Sequence, residues 1–423
     1  MSPPERSLLA RRFSRDSTLI FAGNVVAGGA VYALQVLMGR LLRVQDYSLF
    51  TALMGIFNIA SLPLTALFMV VTRKLALDAA IGQPALGAGL VASAERRVAL
   101  SALVVFAAAA VASPFVAHAL AAGSTLTVLL VWVAVCLNAF VCFYAAVLQG
   151  RHRFTQIAIG NAAFPILRIA LCAALVAVGL GVGGAMGGIA LSLLAGAAWY
   201  WRLSSRVLPR HGEARATGRL FTLPEGLLLA ASSLGFIALT QLDYVIVRVT
   251  CTPEQAGLYS AGAVLAKAVL WLPAGITVAL YPTVVSEHAG ERASQHLLAH
   301  SLRMAGAFCG ALAAILAAGA GLWIPLLYGP EYAGAVPYLR WLSLVYLPLA
   351  LVLVVDNYQL ALGRARFVLL YFGGACAEWL AFAVPGGTPM RLVWVLAATA
   401  IVCAAWAVVV VAQVRTSQAR LGT

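Results

Sequence analysis

The chain is poor in charge. Of its 423 residues only 10% are Asp, Glu, Lys or Arg, against roughly 25% in an ordinary soluble domain. Negative charge is the scarcer kind, with 14 acidic residues against 28 basic ones. No stretch is polar for long enough to form a soluble domain, so any chemistry must occur in or at a membrane. Cysteine pairing is missing as a pattern. Cys136, Cys142, Cys172, Cys251, Cys309, Cys376 and Cys403 are scattered, mostly in apolar runs. They form no Cys-x-x-Cys pair or Cys/His cluster, which points to packing rather than zinc or redox chemistry. No catalytic triad or metal-ligand helix is present, so no catalytic residue and no metal site is expected. Basic runs with interleaved aromatics, which nucleic-acid binding needs, are also lacking.

What the chain has is apolar length: 63% of its residues are hydrophobic. Stretches of about 20 apolar residues recur throughout, each long enough to cross ~30 Å of hydrocarbon as a helix. Hydropathy predicts about twelve spans. They fall near residues 18–42, 47–71, 98–120, 125–148, 155–180 and 183–203, then 222–247, 256–285, 299–328, 334–362, 366–386 and 390–413. Met1 to Asp16 has the arginines of a signal-peptide start but no small-residue cleavage site after it, so an uncleaved first helix is expected. Gly181-Val-Gly-Gly184 and Pro385-Gly-Gly387 read as tight turns. The first lacks the Lys-Ser/Thr ending of a phosphate loop.

The two halves repeat. Gly150-Arg-His-Arg-Phe154 returns as Gly363-Arg-Ala-Arg-Phe367, a shift of 363 − 150 = 213 residues. Tyr47-Ser-Leu-Phe50 returns as Ala256-Gly-Leu-Tyr259, a shift of 258 − 49 = 209. Two landmarks at nearly one offset indicate duplication, and duplicated membrane bundles are mostly transporters with a site between the repeats. An even number of spans per half makes the repeats parallel. The expected fold is therefore all-α and polytopic, with two six-helix lobes around a central cavity. The first lobe covers residues 1–204, a cytoplasmic linker 205–220 and the second lobe 221–423. Pro63 and Pro273 sit at similar depth in the second helix of each lobe, where a proline can kink it.

Most arginines, from Arg6, Arg11, Arg12 and Arg15 through Arg151, Arg153 and Arg202 to Arg364, Arg366 and Arg415, fall on one side of this map. Only Arg40, Arg43, Arg248, Arg340 and Arg391 fall on the other. The basic side should be cytoplasmic, so the protein is expected in the cytoplasmic membrane with both termini in the cytoplasm and anionic headgroups as partners.

Gly39-Arg-Leu-Leu-Arg-Val-Gln-Asp-Tyr-Ser-Leu-Phe50 resembles the first-loop pattern of polysaccharide-repeat flippases. Gln241-Leu-Asp-Tyr-Val-Ile-Val-Arg248 with Pro253-Glu-Gln-Ala-Gly-Leu-Tyr-Ser260 is similar to that family's pattern at helices seven and eight. Pro273 and Tyr281-Pro282 fall where the family tends to have prolines. Ser48 stands where the family usually has glycine, though the second copy keeps Gly257. The resemblance is to the multidrug/oligosaccharidyl-lipid/polysaccharide (MOP) flippase superfamily, in its polysaccharide-repeat (Wzx-like) branch. It implies a polyprenyl-diphosphate-linked oligosaccharide as substrate, with polymerase and glycosyltransferases as associated proteins.

Ionisable groups inside a span cost about 2.5–3.5 kcal/mol each on insertion scales, so each needs a reason. Lys267 lies deep in the eighth span, and its repeat partner at offset 209 is Asn58. They either line a cavity, or the lysine pairs structurally with a carboxylate. Arg168, deep in the fifth span, either engages a diphosphate through its planar fork or pins two helices together. Arg40 and Arg248 sit at nearly equivalent helix ends, where they snorkel or, as the resemblance implies, make a positive mouth. Asp243, Asp356 and Glu378 place the intramembrane carboxylates in the second half, with none expected in a first-half span. They are candidate ligands for a coupling H+ or Na+, or structural partners; no other cofactor is expected.

The leading reading is a non-enzymatic flippase working by alternating access. A drug/cation antiporter of the same fold comes second, opposed by the deep Lys267 and Arg168. An integral-membrane glycosyltransferase or ligase comes third, because the outer loops are short and nearly free of acids. A reporter fused after Gly150 or Gly363 should read cytoplasmic and one after Ala122 should read the opposite side. Opposite readings at Gly150 and Gly363 would refute parallel repeats.

Overall fold

The computed structural model describes residues 3–64, 68, 71, 72, 75, 84–207, 223–271, 291–361, 364, 366–381 and 387–419. Pro273, Tyr281-Pro282, Gly363, Arg73, Lys74 and linker residues 208–220 lie outside them. The described residues are almost entirely helical, with no strand among them. Backbone amides in hydrocarbon have no water to bond, so a lone chain segment can cross only by bonding to itself as a helix.

In the first half α1 covers Pro3–Leu41, α2 Val44–Ser61, α3 Pro84–Ala119, α4 Thr125–Gly150, α5 Phe154–Leu175 and α6 Gly181–Val207. In the second, α7 covers Leu223–Thr250, α8 Pro253–Ala266, α9 Glu291–Ala318, α10 Ala320–Leu327, α11 Val336–Ala361, α12 Val368–Leu380 and α13 Pro389–Ala419. Each of the twelve expected spans overlaps at least one of these helices, and 299–328 overlaps both α9 and α10. Eight helical stretches of described residues are long and apolar enough to cross a membrane, one of them running through both α5 and α6. Helix starts carry ordinary caps: the Ser124 hydroxyl accepts the Leu126 N–H at 3.2 Å, and Thr252 accepts that of Gln255 at 3.3 Å, ahead of Pro253.

Two details differ from the sequence reading, the turn before α6 and an acid in α3. The turn expected at Gly181–Gly184 sits slightly earlier, in the π-helical stretch Val176–Leu180, where Gly179 has φ 93° and Gly181 φ 52°. Only residues without a Cβ adopt these values freely, and Gly183 and Gly184 already belong to α6. Helix α2 is broken for one residue at Leu62 and helical backbone resumes at Pro63–Leu64, an interruption at the place where a proline kink was expected. Helix α3 is longer than its hydropathy window, and its apolar stretch Val91–Ala119 includes Glu95. A carboxylate therefore does lie in a first-half span, where it accepts the Tyr144 hydroxyl at 2.7 Å.

The chain divides into two compact units, one of residues 1–42 and 56–223, the other of 43–55 and 224–423. Helix α2 therefore starts in the second unit and ends in the first. In the first unit Phe143, Tyr144 and Val147 of α4 pack with Val91 and Val98 of α3, Ile157 of α5 and Tyr200 of α6. Close approach of α5 and α6 depends on Gly188, where a Cβ would lie 2.6 Å from the Cys172 backbone nitrogen. In the second unit Leu298 and Ala305 of α9 pack with Val354 and Tyr358 of α11. The largest fully buried side chains are tyrosines, phenylalanines, a methionine and a leucine. Trp199, Trp201, Trp271, Trp341, Trp379, Trp394 and Trp406 are exposed on the outside.

Gly188→Val should lower thermal stability by about 1–3 kcal/mol, the usual cost of overpacking. Gly187→Val, whose nearest obstacle is a Leu175 methyl at 3.7 Å, should be close to neutral. Unfolding monitored by size-exclusion fluorescence after heating separates the two.

Candidate functional site

Four helices of the second unit converge on Asp243, which is fully buried in α7. Lys267, the residue that ends α8, donates from Nζ to both carboxylate oxygens, at 2.9 Å to Oδ1 and 2.8 Å to Oδ2. The same ammonium lies 3.4 Å from the centre of the Tyr244 ring, a favourable cation–π placement. Oδ2 also accepts the Tyr259 hydroxyl at 3.0 Å and that of Tyr346, from α11, at 3.5 Å. Both members of this ion pair are buried. Such a pair does little for net stability, but removing one partner leaves a bare buried charge and costs about 3–5 kcal/mol.

Glu378, on α12, is the opposite case. It is fully buried, its charged neighbours are Asp243 and Lys267, and neither carboxylate oxygen has a hydrogen-bond partner among the described residues. Lys267 gives both its short contacts to Asp243 and none to Glu378.

Asp356 belongs to a separate cluster. Its Oδ2 accepts the Ser232 hydroxyl of α7 at 3.0 Å. Ser232 is 243 − 232 = 11 residues from Asp243, or ~16 Å along α7 at 1.5 Å per residue. Both amide atoms of Gln359, one turn on, are buried without partners among the described residues, and Asp356 Oδ1 and the Tyr371 hydroxyl, which face each other, are buried without a hydrogen bond of good geometry. The three second-half acids thus occupy three different settings: ion-paired, unpartnered, and grouped with neutral polar side chains.

In the first unit, Arg168 on α5 is half-buried and donates through Nε to Ser192 Oγ of α6 at 3.1 Å. Neither Nη group has a hydrogen-bond partner among the described residues. Asn58 is half-buried near the end of α2, and Arg40 is exposed in the last turn of α1. Both make further interactions within the protein. Arg248 is buried at the end of α7, with Nη1 donating to Ser48 Oγ at 2.8 Å and to the Gln45 carbonyl at 3.1 Å. Sequence reasoning missed Tyr259, Tyr346, Ser232, Gln359 and Tyr371. Of these only Tyr259 was in view, as a repeat landmark. No group of three or more His, Cys, Asp and Glu residues able to hold a metal occurs among the described residues.

The profile of a family described as "Polysaccharide biosynthesis protein" matches residues 37–337, most of the chain. The chain belongs to this family. No curated protein sequence matches it significantly. Solved structures place this polysaccharide biosynthesis protein in the fold of the MOP superfamily. An inward-facing multidrug resistance MATE family transporter of that superfamily superposes with a TM-score of 0.75 at 11% identity, covering 91% of this chain and 95% of the other. The lipid II flippase MurJ, inward closed, gives a TM-score of 0.63 at 11% identity over 94% and 87% of the two chains. A MOP superfamily transporter from Pyrococcus furiosus, described as having a binding pocket of reversed polarity, gives 0.64 at 14% over 95% and 96%.

Lys267→Met alone should leave Asp243 bare and reduce folded protein sharply. Asp243→Asn combined with Lys267→Met should restore most of it, because both charges are then gone. The yield of monodisperse protein after detergent extraction measures this. Equal losses in the single and double variants would show that the pair does not hold the four helices.

Proposed function

We propose that this chain is a flippase that carries a polyprenyl-diphosphate-linked oligosaccharide across the cytoplasmic membrane by alternating access, with both termini in the cytoplasm. Membership in a polysaccharide biosynthesis family and the MOP fold support a transporter over an enzyme. The observation that carries the substrate class is Arg168: a guanidinium inside a span whose Nη groups have no protein partner among the described residues. Such a fork matches the oxygens of a diphosphate, and low surrounding dielectric strengthens the attraction. Glycosyltransferases and a polymerase would supply and consume the substrate. The antiporter reading would draw on Asp243 as a cation site, but Lys267 already occupies that carboxylate.

Coupling in this reading falls to the remaining acids. An ionised carboxylate without partners in an apolar interior costs several kcal/mol, so Glu378 must take up a proton or a cation at some stage. Asp356, Gln359, Ser232 and Tyr371 offer oxygen ligands of the kind a hard cation prefers. Asp243 is the weakest of the three candidates, because its charge is already met.

Surface-polysaccharide display in the native host deleted for this gene tests the reading. Wild type should restore display, Arg168→Ala should abolish it, and Arg168→Lys should keep part of it by retaining the charge. All three should be present in the membrane at equal levels. Normal display by a folded Arg168→Ala variant would remove Arg168 from the headgroup site.

A further inference from the structure

Two buried carboxylates in the second unit neighbour a single ammonium. Lys267 Nζ spends its short contacts on Asp243, 2.9 Å from Oδ1 and 2.8 Å from Oδ2. Glu378 is as deeply buried as Asp243 and has that ion pair as its charged neighbours. Both its oxygens lack a hydrogen-bond partner among the described residues. An ion pair kept only for structure needs one carboxylate, because a second adds a desolvation penalty without a contact. The acids here provide for more cation than one ammonium.

The rest of the surroundings also favour a compact cation. The Tyr244 ring centre lies 3.4 Å from Nζ, within cation–π range. Tyr259 and Tyr346 donate to Asp243 Oδ2 at 3.0 and 3.5 Å, which anchors that carboxylate in place. Helix α8 ends at Ala266, Lys267 interrupts it, and helical backbone resumes at residue 268. A helix C-terminus carries partial negative charge, and broken membrane helices bring such ends to cation sites. Lysine is a point charge on a flexible four-carbon stem, so its head asks of its surroundings much what a free monovalent ion would ask. Carboxylate oxygens are ligands that hard cations prefer.

We propose that Asp243 and Glu378 form a monovalent-cation site that Lys267 fills as a resident, covalently tethered cation. Because the ammonium cannot leave the chain, Asp243 exchanges no ion in the wild-type protein. Removing the ammonium opens the site to an alkali ion, Na+ or K+. The site stands apart from the flippase reading; on that reading, it removes Asp243 from the groups that a transported ion visits.

Lys267→Met deletes the charge and tests the site through stability alone. Detergent-extracted protein is heated in NaCl, KCl or choline chloride at equal ionic strength, which holds screening constant. The folded fraction is read by size-exclusion fluorescence. Lys267→Met should melt early in choline, an ion too large for the site. The alkali ion that fits should raise its folded-to-unfolded ratio about tenfold when present at ten times its dissociation constant. Wild type, whose site is filled, and Asp243→Asn/Lys267→Met, which lacks the principal ligand, should show no such gain. Adding Glu378→Gln to Lys267→Met should raise the half-saturating ion concentration about tenfold or more, as loss of a charged ligand implies. Equal melting of Lys267→Met in all three salts would overturn the proposal. So would its failure to fold in any of them, since an ion that fits should fill the site during folding. An equal gain in Asp243→Asn/Lys267→Met would place the ion elsewhere and overturn it too, and an unchanged half-saturation with Glu378→Gln would refute the two-carboxylate site. Failure of wild type to restore polysaccharide display would refute the flippase reading alone, because these melts need no substrate.

Discussion

A backbone amide or a charged side chain placed in hydrocarbon must find its partner inside the protein, because the surroundings supply none. The whole architecture follows from that constraint. It makes every described span helical, caps the helix starts at Ser124 and Thr252, and brings Lys267 onto Asp243. It also makes the exceptions stand out. Glu378 and Gln359 are buried without partners among the described residues. In a soluble protein water would often fill such gaps; between membrane helices they remain costly, and function is the usual reason for keeping them.

The two units handle charge differently. In the first, the acid found within a span, Glu95, is engaged by Tyr144, while Arg168 keeps most of its donors unspent. In the second, the acids sit in three settings. The second half thus holds three buried carboxylates, Asp243, Asp356 and Glu378, and this clustering of acids was visible in outline from the sequence.

The all-helical, membrane-spanning architecture was legible because hydropathy survives without knowledge of how helices rotate. The site was only half legible. Asp243, Asp356 and Glu378 could be nominated by type and depth, but which of them meets Lys267 depends on the facing of α7, α8 and α12, which spacing alone does not set. Tyr259 entered as a landmark of duplication, with nothing to show that its hydroxyl supports Asp243. Glu95 was missed because the hydropathy window began where charges stop, whereas α3 continues past Glu95, whose carboxylate is met by the Tyr144 hydroxyl.

The distribution of aromatic residues gives the protein an unusual optical division. Its large buried rings are tyrosine and phenylalanine, while the tryptophans lie mostly on the outside of the helices. Light emitted by tryptophan therefore reports chiefly on the outside of the helices, with Trp132, whose indole nitrogen is buried, as the exception. A change in the Asp243–Lys267 cluster would register through tyrosine absorbance, from Tyr244, Tyr259 and Tyr346, whose hydroxyls or rings touch the two charges.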